Sequence, residues 1–210
     1  MSNTKYKYKY EVDLKVLYKK SIIFRLYDYF RKESILKILK TLEINNIVDY
    51  GSNTGHLTKY LYENLSNTQF HAYEPNKVHF DKINFGSANI KKYRDFKKLP
   101  KNNKSSLILV SNVLEYVNDL NEYSDQIKQL TALNSFVCVV YNWEYSPLAF
   151  SPFLRSFLSK RSVNAIKENE PNKHLKKSEI LKIHKNIGCE LLSLKYDLTF
   201  TNQIFLFKKN

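Results

Sequence analysis

The chain alternates short, uninterrupted apolar runs with longer segments in which apolar residues recur at helical spacing. This alternation constrains its fold more than any single motif does. Residues 107–110 (LILV) and 136–141 (FVCVVY) are continuous apolar runs, as expected of strands that are covered on both faces. The segment between them, residues 120–133, has helical periodicity. The pattern predicts an α/β, doubly wound, three-layer sandwich with a mostly parallel sheet.

The same signals predict the remaining elements. Further strands are expected at residues 47–50, 70–73, 90–93, 190–196 and 203–208, which makes a seven-stranded sheet. Further helices are expected at 34–42, from Leu57 to about residue 67, at 77–83 and at 178–187. Ser178 would cap the last helix, and Gly188 would form its left-handed C-terminal turn. Too few residues separate the last two strands for a crossover helix, so we expect an antiparallel C-terminal hairpin.

Length and composition are those of one folded domain. The chain has 210 residues, of which 43% are hydrophobic, enough for a full three-layer core. Cys138 and Cys189 lie far apart in apolar surroundings without the paired spacing of a zinc site, so we expect both to be buried and reduced. No stretch approaches the roughly 20 consecutive apolar residues of a membrane span. These features predict a soluble, cytoplasmic protein.

The formal net charge of +14 raises the question of a nucleic-acid partner. Residues 1–40 carry half of it, with 11 Lys and Arg against 4 Asp and Glu. Clustered basic residues can bind phosphates, but no RNP-like, zinc-finger or helix-turn-helix pattern accompanies the charge. A solvated basic surface is therefore favoured over nucleic-acid binding, and an anionic small substrate or a membrane surface would suit the charge equally well.

The residues with the clearest chemistry lie between the first predicted strand and the next helix, in the loop Asp49-Tyr50-Gly51-Ser52-Asn53-Thr54-Gly55. Small residues let the backbone approach a ligand closely, and the helix N-terminus offers free amides. Glu74 ends the second predicted strand, at the interval where a carboxylate can bind the hydroxyls of a ribose. A tight turn with an unrelated surface Glu is the alternative, but the spacing favours a nucleotide-cofactor site.

Four segments in order resemble the motifs of class I S-adenosylmethionine-dependent methyltransferases, from residue 47 to residue 188. The resemblance implies a Rossmann-like fold that binds S-adenosylmethionine (SAM) and releases S-adenosylhomocysteine (SAH). The first motif is residues 48–55, where Gly51 and Gly55 would flank the methionine moiety with Asp49 in support. The implied cofactor residues share a position at the carboxyl ends of the strands: Asp49, Gly51, Ser52, Asn53, Gly55, Glu74, Pro75, Asn76, Asp95, Phe96, Ser111 and Asn112.

Within this resemblance each later motif has a distinct role. Glu74, with Pro75 and Asn76, would bind the ribose, Asp95 would face the adenine amino group, and Phe96 would pack on the ring. Ser111 and Asn112 would border the sulfonium. Three positions depart from the family pattern: Asn53 replaces a glycine, Ser106 an acidic residue and Tyr116 a frequent histidine. Asn tolerates positive φ, so the loop is expected to keep its shape.

The absence of certain motifs narrows the range of possible methyl acceptors. The fourth strand continues as Val110-Ser111-Asn112-Val113 and lacks the Asn/Asp-Pro-Pro-aromatic motif that serves exocyclic base amines. Neither cysteine lies where a pyrimidine C5 methyltransferase needs its nucleophile. No metal-ligand spacing appears among His56, His71, His79, His174 and His184, so we expect no metal. A hydroxyl acceptor also needs a base, whereas an amine needs only to be neutral.

The acceptor site is expected at residues 143–173, an insertion after the fifth strand that would form a lid with the N-terminal helices. Candidate substrate contacts are Trp143, Tyr145 and Arg155, and an arginine there, Arg155 or Arg161, could hold a phosphate or carboxylate. Candidate catalytic residues are His174, because imidazole titrates near neutral pH, Glu144 and Tyr141. For His174, a helix cap or a surface position is the alternative. For each aromatic residue, attachment of the lid to the core is an equal alternative.

The sequence thus predicts a single methyltransferase domain with four parts: an N-terminal helical cap (1–43), a cofactor-binding core (44–142), the lid (143–173) and a C-terminal helix with its hairpin (174–210). The favoured function is methylation of an O or N atom of a small-molecule or sugar acceptor, in small-molecule or glycan biosynthesis. One alternative is an RNA or protein methyltransferase that uses the basic N-terminal segment. The other is a non-catalytic SAM-binding module.

Overall fold

The computed structural model describes residues 22–100, 106–142, 175–199 and 201–210. Within these ranges the strands are β1 (Asn46–Tyr50), β2 (Gln69–Tyr73), β3 (Ile90–Tyr93), β4 (Ser106–Ser111), β5 (Phe136–Asn142), β6 (Cys189–Tyr196) and β7 (Asn202–Lys209). The α-helices are α1 (Ile22–Leu39), α2 (His56–Asn64), α3 (Lys77–Lys82), α4 (Leu120–Leu130) and α5 (Lys177–Asn186). Short 3₁₀ turns lie at Phe96–Lys98 and Leu114–Tyr116.

The strands form one seven-stranded sheet in the order β3-β2-β1-β4-β5-β7-β6. β1 pairs in parallel with β2 on one side and with β4 on the other. The direction in which the chain adds strands therefore reverses between β1 and β4. Open α/β sheets bind ligands at such a switch point, outside the carboxyl ends of the strands. The loops after β1 and β4 thus meet where a ligand is expected.

Two apolar clusters cover the two faces of the sheet. On one face, Ile35 and Leu39 of α1 pack with Leu57 and Leu61 of α2 against β1 and β4. On the other face, residues of α4 and α5 pack against alternate positions of the same strands. The sheet is therefore the middle of three layers, because its residues alternate between two buried faces. The predicted α/β sandwich is confirmed.

The C-terminal hairpin is also confirmed. β7 runs antiparallel between β5 and β6, and Asn142 at the end of β5 is paired with Asn202 at the start of β7. Because β7 is antiparallel, its first residues lie at the same edge of the sheet as the carboxyl ends of the parallel strands. The hairpin thereby adds polar residues to the edge at which the cofactor motifs converge.

Several predicted boundaries were wrong. α1 begins at Ile22 rather than at residue 34, and α4 ends at Leu130 rather than at 133. The cap of α5 is Lys176, not Ser178, because the Glu179 side chain accepts the Lys176 N–H at 2.7 Å and satisfies the exposed end of the helix. Gly188 does adopt the predicted left-handed conformation, with φ 77°.

Both cysteines are free and buried, as predicted. None of the helices in the described ranges is long and apolar enough to cross a membrane.

Candidate functional site

The loop after β1 is anchored to the neighbouring strand and bends through left-handed residues. The N–H groups of Gly51 and Ser52 both donate to the carbonyl of Tyr73, at 2.8 and 2.9 Å. Gly51, Asn53 and Gly55 have φ of 80°, 52° and 78°. Asn53 therefore adopts the positive φ that was expected of it, and the loop keeps its shape without a third glycine.

The two glycines are required by packing as well as by their backbone angles. A Cβ on Gly51 would lie 2.5 Å from Cγ2 of Val113, and one on Gly55 would lie 2.5 Å from Cε1 of Phe85. Both distances are far below van der Waals contact. Only glycine lets the turn after β4 and the segment after α3 close on this loop.

Glu74 connects the loop to the end of β2. Its Oε2 accepts the Asn53 N–H and its Oε1 accepts the Asn76 N–H, both at 2.8 Å. The side chain is fully buried. Burial raises the pKa of this carboxyl to about 7, although the two N–H donors oppose the rise. The carboxylate thus fixes the Gly51–Gly55 loop against the turn that follows β2.

Asp49, which precedes the loop in β1, is also buried. Thr58 of α2 donates to its Oδ2 at 2.6 Å. Burial raises the pKa of Asp49 to about 6, and the Thr58 hydrogen bond and the nearby Arg31 guanidinium partly offset that effect. Asp49 therefore ties the first turn of α2 to the strand that supplies the loop.

Three buried polar atoms on the residues assigned to the cofactor around the loops after β1 and β4 have no hydrogen-bond partner within the part of the chain that is described. They are Oγ of Ser52, Oδ1 of Asn53 and Oγ of Ser111. Buried polar atoms in proteins nearly always have a hydrogen-bond partner. Three such atoms without one, at the same edge of the sheet, indicate a ligand that supplies the missing hydrogen bonds. All three belong to residues that the sequence assigned to the cofactor.

The residues assigned to the adenine side follow β2 and β3. Asn76 caps α3 by accepting the Val78 N–H at 2.9 Å, and Asp95 accepts the Lys97 N–H at 2.9 Å in its own 3₁₀ turn. Phe96 packs edge-on against Tyr73, with ring centroids 5.9 Å apart. Pro75 is partly exposed beside them. These side chains lie on the β2–β3 side of the candidate cofactor site.

Sequence reasoning missed a second polar cluster, which joins α1 to the loop after β4. With its amide oriented to satisfy both neighbours, Asn112 donates to the Val140 carbonyl and accepts from Nη1 of Arg31, each at 3.2 Å. Asn112 has φ 53°, so the chain turns sharply as it leaves β4. Arg31 also forms an ion pair with Asp28 at 2.7 Å. A basic residue of α1 thereby reaches the carboxyl edge of the sheet.

Glu115 belongs to this cluster and is almost completely buried. Its Oε1 accepts the Asn142 N–H at 3.2 Å, and its Oε2 has no partner among the described residues. Burial raises the pKa of Glu115 to about 7, and its own backbone N–H, the Asn142 N–H and the charge of Arg31 oppose the rise. The sequence signal was a single carboxylate in the otherwise apolar and aromatic run 113–117.

Tyr27 of α1 completes the cluster. Its hydroxyl accepts from Nδ2 of Asn202 at 2.9 Å and lies 3.5 Å from Oδ1 of Asn142. Burial raises the pKa of this phenol above its usual value. α1 therefore crosses the ends of β5 and β7 and closes one side of the edge at which the motifs meet.

The predicted acceptor residues are divided between described and undescribed parts of the chain. Tyr141 is buried, and its hydroxyl accepts the Leu175 N–H at 2.6 Å. His174, Glu144, Trp143, Tyr145 and Arg155, with the lid at 143–173, lie outside the described residues. Their roles stay predictions. Within residues 22–100, 106–142, 175–199 and 201–210, His, Cys, Asp and Glu form no group of three that could hold a metal ion.

Comparison with known proteins identifies the family. A family model described as a methyltransferase domain matches residues 22–194, which is most of the chain. No curated protein sequence matches the chain.

Three solved structures illustrate the shared fold. A SAM-dependent methyltransferase from Aquifex aeolicus is 12% identical with a TM-score of 0.64, over 85% of this chain and 89% of that one. Magnesium protoporphyrin IX methyltransferase from Synechocystis PCC 6803, with bound SAM, is 15% identical with a TM-score of 0.59, over 89% and 82%. The plantazolicin methyltransferase BpumL, in complex with a pentazolic desmethyl analogue and SAH, is 13% identical with a TM-score of 0.63, over 91% and 87%.

At these identities the solved structures establish the fold alone, whereas the family model covers the glycine loop, Glu74 and the turn after β4 together. The chain therefore belongs to the methyltransferase domain family and is a SAM-dependent methyltransferase of the class I fold.

Proposed function

We propose that this enzyme transfers the methyl group of SAM to an oxygen or nitrogen atom of a small-molecule or sugar acceptor, and that the cofactor lies across the carboxyl ends of β1, β2 and β4. The observation that carries the cofactor site is the set of orphaned atoms on Ser52, Asn53 and Ser111 beside two glycines that admit no Cβ. A ligand with several polar groups, held against backbone, satisfies both features.

The residues fit the parts of the cofactor. Gly51, Ser52 and Gly55 would hold the amino-acid portion, supported by Asp49. Glu74 would bind the ribose hydroxyls through the lone pairs that its two backbone donors leave unused, since each carboxylate oxygen can accept more than one hydrogen bond. Pro75, Asn76, Asp95 and Phe96 would surround the adenine.

A small acceptor is favoured because α1 closes the edge of the sheet next to the proposed sulfonium position. Tyr27 bonds to Asn202, and Arg31 bonds to Asn112, which gives that side of the site a polar wall. The plantazolicin methyltransferase BpumL, of the same fold, is complexed with a pentazolic desmethyl analogue and SAH. Acceptor selection would be shared with the lid candidates Trp143, Tyr145 and Arg155.

Methyl transfer from SAM requires the protein mainly to position the two reactants. SAM supplies an electrophilic methyl carbon on a positively charged sulfur. The chain's residues must hold the acceptor in line with that carbon, exclude water and take the acceptor's proton if it is a hydroxyl. Fixed positioning by a rigid loop, rather than a reactive side chain, is the main requirement.

Thermal denaturation with SAM or SAH tests the cofactor site. A ligand at about 100 times its Kd should stabilise the fold by about 2.7 kcal/mol, which is readily seen as a rise in Tm. Folded protein whose Tm responds to neither ligand would contradict the proposal. A shift without turnover on any acceptor class would instead favour the non-catalytic SAM-binding module.

The acceptor class is tested by filter binding of RNA at low and physiological salt, together with transfer of labelled methyl from SAM to sugars, phenols and amines. A small-molecule enzyme should label members of the second set and bind RNA weakly. Tight RNA binding that falls steeply with salt would overturn the small-molecule preference in favour of an RNA methyltransferase.

A further inference from the structure

The candidate site contains an excess of buried acidic groups among its described residues. Asp49, Glu74 and Glu115 are 2%, 0% and 1% exposed. The charge of Arg31 lowers the pKa of both Asp49 and Glu115, so these two carboxyls lie near the same guanidinium, one at the end of β1 and the other beyond β4. Arg31 also forms an ion pair with Asp28, so its charge is divided among three carboxyls, an arrangement that favours an additional positive charge from a ligand.

Glu115 differs from the other two carboxyls in its hydrogen bonding. Asp49 is held by Thr58, and both oxygens of Glu74 accept backbone N–H groups. Oε1 of Glu115 accepts the Asn142 N–H, but Oε2 has no partner among the described residues. A buried carboxylate oxygen without a donor is costly, and a fixed positive charge beside it removes much of that cost.

The position of Glu115 indicates which part of the cofactor would lie beside it. It follows Ser111 and Asn112 within one turn and contacts the backbone at the end of β5, which places it on the β4 side of the switch point rather than the ribose side. SAM and SAH share the adenosine and amino-acid parts and differ in one charge, since SAM has a sulfonium and SAH a neutral thioether. A group beside the sulfur senses that difference, whereas Glu74 on the ribose side does not.

We infer, on the basis of the cofactor site proposed above, that Glu115 makes this site prefer the cationic methyl donor over its neutral product. Once methyl transfer removes the positive charge, the carboxylate loses its partner and the product binds more weakly. Glu115 thus acts as a specificity-determining residue that favours exchange of SAH for SAM after each turnover.

Several groups face Glu115 and set its protonation. The backbone N–H of Glu115 itself and the Asn142 N–H of β5 stabilise the ionised carboxylate, and the charge of Arg31 of α1 does the same. Burial raises the pKa of Tyr116, next to Glu115 in the chain, to about 12, and the charges of Glu115 and of Tyr27 in α1 add to the rise. Both phenols stay neutral at physiological pH. Glu115 is therefore the group of this set whose charge changes near neutrality.

Isothermal titration calorimetry with SAM and SAH as probes tests the inference on the full chain. Glu115→Gln keeps the shape of the side chain and removes its charge, so the affinity for SAM should fall about tenfold while that for SAH is unchanged. In the wild type the ratio of SAM to SAH affinity should rise between about pH 5.5 and 8, because only SAM favours the ionised carboxylate. That rise should disappear in Glu115→Gln.

Two controls separate this result from general damage to the site. Glu74→Gln removes a charge on the ribose side and should weaken SAM and SAH equally, and the exposed Glu63→Gln should change neither affinity. Glu115→Asp retains the charge and should retain the preference for SAM. If both Glu115 variants fail to fold, the inference is tested by measuring the protons that the wild type releases on binding each ligand. Proton release should accompany the binding of SAM and not that of SAH.

The outcomes distinguish the two proposals. Absence of binding by either ligand would refute the cofactor site itself. Binding of both ligands with the wild-type affinity ratio in Glu115→Gln, or equal proton release on binding SAM and SAH, would overturn the role of Glu115 and leave the cofactor site intact.

Discussion

The imidazole of His184 stacks on the ring of Phe207, with centroids 4.3 Å apart and planes inclined by 11°. Nδ1 lies 2.8 Å from the carbonyl of Ile180, and Nε2 lies 3.1 Å from the hydroxyl of Tyr123. This buried histidine joins α5, β7 and α4. Burial lowers its pKa to about 4, because the charged imidazolium is poorly solvated there.

We expect His184 to make the fold acid-sensitive. The unfolded chain binds a proton at His184 near the usual pKa of about 6.5, whereas the folded chain binds it near pH 4, so stability is lost as pH falls through this window. The full effect is about 3 kcal/mol in the free energy of unfolding. Glu74 and Glu115 have raised pKa values, so their contribution to the free energy of unfolding is lost as pH rises from about 4.5 to about 7. Their effect on stability therefore changes with pH in the direction opposite to that of His184.

The His184 effect is therefore measured as a difference. Urea unfolding of the wild type and His184→Gln between about pH 4 and 7 should give curves that converge at low pH, with the variant less pH-dependent. Parallel curves would show that His184 does not carry the proton linkage.

Substitution of Gly55 should be more damaging than substitution of another left-handed glycine. Gly55→Ala combines an unfavourable φ of 78° with a clash against Phe85, and should cost about 2 to 4 kcal/mol. Gly86→Ala has φ 62° and nothing within 4 Å of the new Cβ, so it should cost only about 1 kcal/mol. Denaturant midpoints measure both, and equal losses would refute the packing argument.

Glu74→Ala should reduce the Tm shift produced by SAH. The substitution removes the proposed ribose ligand and leaves the buried N–H groups of Asn53 and Asn76 without their acceptor, at a cost of about 1 to 3 kcal/mol to the apo fold. Glu63→Ala, on the exposed face of α2, is the control and should leave both quantities unchanged. If SAH raised the Tm of Glu74→Ala as much as that of the wild type, Glu74 would not be part of the cofactor site.

The two thiols should not react in the folded protein. Burial raises the pKa of Cys138 to about 12 and that of Cys189 above its usual range, so neither forms appreciable thiolate at neutral pH. Titration with an aromatic disulfide reagent should detect both thiols only after denaturation. Rapid reaction of either thiol in native buffer would mean that its strand opens readily.

The strands and the cofactor loop could be predicted because their signals are local. A continuous apolar run such as β4 is typical of a strand buried on both faces, and the spacing from Gly51 to Glu74 reflects one strand-helix-strand unit. The start of α1 at Ile22 and the cap of α5 at Lys176 could not be predicted in this way. The cap at Lys176 is local, but it uses the Glu179 side chain and the Lys176 backbone rather than a Ser, Thr, Asp or Asn at the cap position.

The layered α/β fold and the glycine loop could be recognised from the amino-acid sequence, because periodicity and motif order act over short stretches of chain. Only the tertiary structure brought Arg31 and Tyr27 of α1 to the edge of the sheet beside Glu115. Tyr27 and Arg31 lie one helical turn apart, but Glu115 is far from both in the chain, and no local pattern links it to them. These polar side chains interact only after folding buries them together. Burial removes water from the carboxylate oxygen, which then requires a hydrogen-bond donor or a positive charge within the protein or from a ligand.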